Sequence, residues 1–116
     1  MKQYLLLFRG GDSNLAEQSP EEQQAHMQKW FAWMGGLAEK GQMGGAEPLF
    51  TTGKTVTGKD KIVSDGPFAE GKEMVGGYLI CNAQSYDEAV EISKDCPVLE
   101  FEDGSVEVRE IQVIEM

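Results

Sequence analysis

Ser64-Asp65-Gly66-Pro67-Phe68-Ala69-Glu70-Gly71-Lys72-Glu73 is the stretch on which the reading of the fold turns. It separates a hairpin-like segment from a strand, Tyr78-Leu79-Ile80-Cys81, entered through Gly76-Gly77. Upstream, Thr55-Val56-Thr57 and Lys61-Ile62-Val63 flank Gly58-Lys59-Asp60, the pattern of a hairpin with a three-residue loop. Within the stretch, Asp65 is placed to accept backbone hydrogen bonds, Gly66-Pro67 bends the chain and Phe68 can plug a core.

Working outward, Tyr4-Leu5-Leu6-Leu7-Phe8 is a continuous apolar run, as expected of a strand covered on both faces. A loop follows over residues 9–14. Ser19-Pro20-Glu21-Glu22 then opens a helix with an N-cap serine, a proline in the first turn and a capping-box glutamate. Gly41 is its stop. Met27, Phe31, Met34 and Ala38 form the centre of the helix's apolar stripe, and His26, Trp30, Trp33 and Leu37 form one edge. That aromatic edge needs a pocket wall or a subunit contact, and Trp33 is the side chain expected to face a ligand. Gly35-Gly36 points away from the stripe and weakens the helix by about 1 kcal/mol per glycine relative to alanine. Close approach of another backbone would offset that cost, as simple tolerance would absorb it.

Gly44-Gly45 and Pro48 read as a break in the chain. Ser85-Tyr86-Asp87-Glu88 caps a second helix, closed by Pro97. Glu100-Phe101-Glu102-Asp103-Gly104 is an acidic turn, and residues 105–114 read as the last strand. There Glu107, Arg109, Ile111 and Val113 share one face, and Val106 and Val108 the other. The order strand, helix, hairpin, strand, helix, strand predicts a ferredoxin-like α+β fold: one antiparallel sheet, two helices on one face. The whole chain, 1–116, reads as one domain. The uncovered sheet face, with Tyr78 or Leu79, Ile111 and Val113 on it, predicts a homodimer.

A formal charge of −10 repels phosphate backbones and anionic lipid, so neither nucleic acid nor membrane is the expected partner. The apolar run near the N-terminus is too short to span a bilayer and lacks a small-residue cleavage site after it. A cytoplasmic protein is expected, with Cys81 and Cys96 as reduced, buried thiols. Two isolated cysteines and one unsuitably spaced histidine make no structural zinc site. Gly71-Lys72 lacks the spacing of a phosphate loop, and no serine or cysteine sits in a nucleophile elbow.

His26 is the only imidazole, hence the natural acid–base candidate near neutral pH. A general base needs a carboxylate to fix its tautomer, and Asp65 is the partner expected from sequence. The commoner outcome for such residues is a turn role for Asp65 and a capped or exposed position for His26. Glu107 and Arg109 stand two apart on one strand face. They are either an ion-pair set on the rim or a pocket in which Arg109 binds a substrate carboxylate and Glu107 orients it. Glu70, Lys72 and Glu73 read as a solvated charged loop.

The stretch from Ser64 to Glu73, continued by Gly76-Gly77-Tyr78, resembles the signature of the YCII-related family in its DGPF-motif branch. Cys96-Pro97 is similar to its helix-ending Cys-Pro, and Gly104-Ser105-Val106-Glu107-Val108-Arg109 to its closing strand. Glu110 stands where many branch members have proline, which bears on the shape of the strand end. The resemblance implies a ferredoxin-like fold that dimerises as a dimeric α/β barrel. It implies an active-site dyad of a first-helix histidine and an aspartate, matched here by His26 and Asp65. A dehydrochlorinase-type lyase is known in the wider family, while branch members are often associated with extracytoplasmic-function sigma factors. Two functions follow. One is a lyase or isomerase acting without metal or organic cofactor on a small anionic or aromatic ligand. The alternative is a non-catalytic ligand-binding or regulatory module.

Overall fold

A computed structural model describes residues 1–11, 16–66 and 74–114. Pro67, Phe68 and the charged Glu70, Lys72 and Glu73 therefore lie outside the described residues. Alternating burial makes the first strand, β1 (Lys2–Arg9), amphipathic: Tyr4, Leu6 and Phe8 are buried, and Leu5 and Leu7 are half-buried. Helix α1 (Pro20–Glu39) starts at the expected capping box. Glu22 N–H donates to Ser19 Oγ at 3.1 Å, and Ser19 N–H donates to the Glu22 carboxylate at 3.3 Å. It ends at Gly41, whose φ of +70° turns the chain back so that the Gln42 N–H donates to the Leu37 carbonyl at 2.8 Å.

Strand β2 (Met43–Pro48) follows where a break was expected. Its glycines are accommodated because the register shifts between Met43 and Gly45, and Pro48 lies at the end of an edge strand where no ladder N–H is needed. Strands β3 (Gly53–Thr57) and β4 (Ile62–Gly66) form the expected hairpin, but as a separate two-stranded sheet. Lys61 belongs to its turn, with φ at 56°. Strand β5 (Val75–Ala83), helix α2 (Tyr86–Ser93), a 3-10 turn (Pro97–Glu100) and strand β6 (Ser105–Glu110) complete the chain. The last strand is shorter than expected. Ile111 N–H still reaches the Gln3 carbonyl at 2.9 Å, but beyond it β1 offers no further rung, and Val113 and Ile114 are 78% and 73% exposed.

The four-stranded sheet runs β2-β5-β1-β6, all neighbours antiparallel. With its two helices it is the expected ferredoxin-like α+β fold, β2 rather than the hairpin supplying the second strand. Leu6 lies opposite Leu79 on one side and Val108 on the other. Tyr4, Leu6, Leu79 and Cys81 are at most 1% exposed and form the centre of the core. Each such side chain contributes about 1.5–3 kcal/mol by leaving water. Both helices cover this face: Trp30 and Trp33 meet Phe8 edge-on, with ring centroids 5.0 and 6.0 Å away, and Tyr86 meets Tyr4 at 4.9 Å.

The buried side of α1 is the edge, not the centre, of the apolar stripe. His26 and Leu37 are buried and Trp30 and Trp33 partly so, whereas Met27 and Phe31 are 49% and 63% exposed. The two indoles carry the largest apolar area on the helix, and packing them on Phe8 rotates Met27 and Phe31 outward. A Cβ on Gly35 or Gly36 would meet nothing within 4 Å, so neither glycine serves close packing within the chain. The other sheet face carries Leu5, Leu7, Tyr78 and Ile80, all half-buried, with Leu79 on the core side.

Candidate functional site

An apolar cavity opens between α1 and the sheet end where β2 finishes and β5 begins. About 430 Å³ is lined by Phe8, Met27, Trp30, Phe31, Met34 and Gly77, among others. Its volume suits a one- or two-ring organic molecule, and its wall is mostly hydrocarbon and aromatic ring. Gly10, φ +80°, closes one end: a Cβ there would lie 2.0 Å from the Asp103 carbonyl oxygen, so only glycine lets β1 turn this close to the segment before β6.

Behind Trp30 lies His26, only 6% exposed. The indole Nε1–H of Trp30 donates to His26 Nε2 at 3.0 Å. On the other side of the ring, Nδ1 lies 3.2 Å from Glu100 Oε2. An indole N–H can only donate, so Nε2 accepts and the ring proton sits on Nδ1, donated to Glu100. Phe101 packs against the imidazole with centroids 4.9 Å apart. Glu100 also accepts from Lys29 Nζ at 2.7 Å. The Lys29 ammonium holds the Glu100 carboxyl below its ordinary range, with His26 adding to the effect and partial desolvation opposing it. An ionised carboxylate thus orients a buried imidazole whose Nε2 faces the Trp30 wall of an apolar cavity.

Asp65 is not brought to His26 within the chain. It stands on the hairpin, where its 82%-exposed carboxylate pairs with Lys54 Nζ. Glu100 occupies the position expected for an aspartate. Sequence reading placed Glu100 in an acidic turn; that the 3-10 turn after Cys96-Pro97 comes back to α1 is a tertiary fact without a local signal. Glu107 and Arg109 lie on the sheet face away from α1. Glu107 accepts from Arg9 at 2.7 Å and lies 3.9 Å from Arg109, whose side chain is 69% exposed. They are an ion-pair set on that face, apart from the cavity. Trp33 donates its indole N–H to the Ile92 carbonyl at 3.2 Å, tying α1 to α2, and packs on Trp30 at 5.8 Å.

Burial pushes both thiols up, Cys96 to about 12, so each is a protonated core group. Among the described residues, no three His, Cys, Asp or Glu side chains are grouped to hold a metal ion. Among the described residues, no helix is long and apolar enough to cross a membrane.

Residues 3–115 match the YCII-related domain. The chain belongs to the YCII-related family. An uncharacterised protein of Rhizobium meliloti (strain 1021) is 32% identical over 110 residues, covering 91% of this chain and 89% of that one. Among solved structures, 5-chloro-2-hydroxyhydroquinone dehydrochlorinase (TftG) of Burkholderia phenoliruptrix AC1100, in complex with 2,5-dihydroxybenzoquinone, superposes with a TM-score of 0.54. It is 18% identical and covers 95% of this chain and 93% of its own. At that identity the likeness speaks for the fold, which this YCII-related chain shares.

Proposed function

We propose that this chain is a homodimeric, cytoplasmic small-molecule enzyme of the lyase or isomerase type that works without a cofactor. The observation that carries the reading is the Glu100–His26 pair set against the Trp30 wall of the apolar cavity. In this reading Trp30 swings off His26, and Nε2 takes a proton from a carbon activated by a neighbouring carbonyl. The electron pair left behind expels a leaving group, giving a lyase, or is reprotonated one position away, giving an isomerase. The imidazolium keeps its Nδ1–H on Glu100, whose negative charge stabilises it. Glu100 takes the orienting role expected of Asp65. Met27, Phe31 and Met34 hold the flat apolar body of the substrate. The dehydrochlorinase that shares this fold acts on a hydroxylated, chlorinated ring, and a small oxygenated aromatic is the substrate class supported here.

A ligand-binding module is the second reading, favoured by one observation: both nitrogens of His26 are already partnered. Incubation with 2,5-dihydroxybenzoquinone and a panel of chlorinated and lactone-like rings separates the two. The enzyme reading expects turnover by the wild type that His26→Ala abolishes and Glu100→Gln lowers about 100-fold, the scale of general acid–base assistance. Ligand-induced quenching of Trp30 with no turnover in any protein supports the module. Absence of both overturns the cavity as a site.

A further inference from the structure

Among the described residues, the β3–β4 hairpin stands as an arm, a two-stranded sheet separate from the four-stranded one. Every residue from 51 to 63 is exposed, and Val56, Ile62 and Val63 are each 63% exposed. Val56 and Val63 stand directly opposite each other, flanked by the Lys54–Asp65 pair. A solitary two-stranded hairpin is marginal in water, because one ladder cannot offset the entropy of ordering two strands. The arm also stretches the molecule. The radius of gyration is 15.8 Å and the extents are 48 × 46 × 19 Å, whereas a compact chain of this length has a radius near about 13 Å.

Charge indicates what the arm meets. It carries Lys54, Lys59 and Lys61 against Asp60 and Asp65, a net positive element in a chain of net charge −10. Two such chains repel as wholes, while the arm of one is attracted to the acidic body of another. The same chain offers a half-buried apolar sheet face, so a second copy supplies both surfaces that a single copy leaves open.

We propose that the arm clasps a second copy of this chain, laying Val56 and Val63 on the body of its partner while its own body receives the partner's arm. By two-fold symmetry the contact occurs twice, and it rests on the homodimer proposed above. Asp65 then belongs to the interface rather than to the site of its own chain.

The test attaches a benzophenone maleimide to Lys59→Cys at the arm tip, since Cys81 and Cys96 are 0% and 3% exposed. Chains labelled with 14N and 15N are unfolded and refolded together, then sedimented and irradiated. The expected result is a dimer whose cross-linked peptides join the two isotopes. Val56→Thr with Val63→Thr, which keeps strand propensity, is expected to raise the dimer dissociation constant about tenfold or more by removing apolar burial. A dimer whose cross-links stay within one isotope, or whose dissociation constant ignores the double substitution, overturns the clasp and leaves the homodimer standing. A monomer at all concentrations overturns both.

Discussion

His26 accepts a hydrogen bond from Trp30 one helical turn away and lies within hydrogen-bond reach of a carboxylate 74 residues away, Glu100. The first contact is local to α1; the second joins α1 to the turn before β6. Together they fix a single tautomer, because the donor-only indole leaves Nδ1 as the one protonated nitrogen. Protonating Nε2 and keeping the Trp30 bond are mutually exclusive. Any proton transfer at His26 is therefore also a movement of Trp30, which lines the cavity.

Trp30→Phe removes the donor and leaves Nε2 buried without a partner. Such an orphaned acceptor costs about 1–3 kcal/mol. Urea unfolding is expected to show that loss with an unchanged m-value. Diethyl pyrocarbonate should also modify His26 faster in the variant than in the wild type.

Glu100 gives stability a dependence on acid. Its carboxyl lies below the ordinary range because of Lys29, so the folded state binds a proton less readily than the unfolded one. The contribution is complete above the unfolded value, about 4.3, and disappears as pH falls through the lower folded value. The stability gap between the wild type and Glu100→Gln is thus expected to be flat near neutral pH. It should shrink in unfolding curves measured below about pH 4.

Gly35 and Gly36 have open space where a Cβ would go and sit inside a helix. Gly35→Ala and Gly36→Ala are each expected to stabilise by about 1 kcal/mol, from helix propensity and reduced unfolded-state entropy. A thermal melt of each variant measures this. A loss of stability instead would place a partner surface against that side of α1.

Cys96, raised to about 12 by burial, and Cys81, raised by the same cause, have almost no thiolate at neutral pH. Ellman's reagent should find no reactive thiol in the native protein and two after denaturation, with the native rate following global unfolding.

Much of this architecture is legible in the residues themselves. The capping box at Ser19, the stop at Gly41 and the two-residue alternation of Val106 and Val108 are local, and locally encoded features came through. Met43-Gly44-Gly45-Ala46 does not look like a strand because its pairing energy comes from β5, not from its own side chains. The rotation of α1 was hidden for a related reason. Helical spacing shows that Met27, Phe31, Trp30 and Trp33 are apolar, but which of them face Phe8 depends on indole size and on the Ile92 carbonyl waiting for a donor. His26 was visible as a lone imidazole. Its carboxylate was not, since Asp65 and Glu100 are both acids in turns and only the chain path distinguishes them.

The His26–Glu100 contact spans the two β-α-β halves of the fold. One half contributes the imidazole on α1, the other the carboxylate after α2. A contact at such sequence separation incurs a large loop-closure entropy before it gains anything, so it forms late as the chain condenses. With only the first half in place the imidazole lacks its carboxylate, and with only the second the carboxylate lacks its imidazole. In kinetic terms the pair is a completion signal: refolding followed at His26 should lag refolding followed at the backbone.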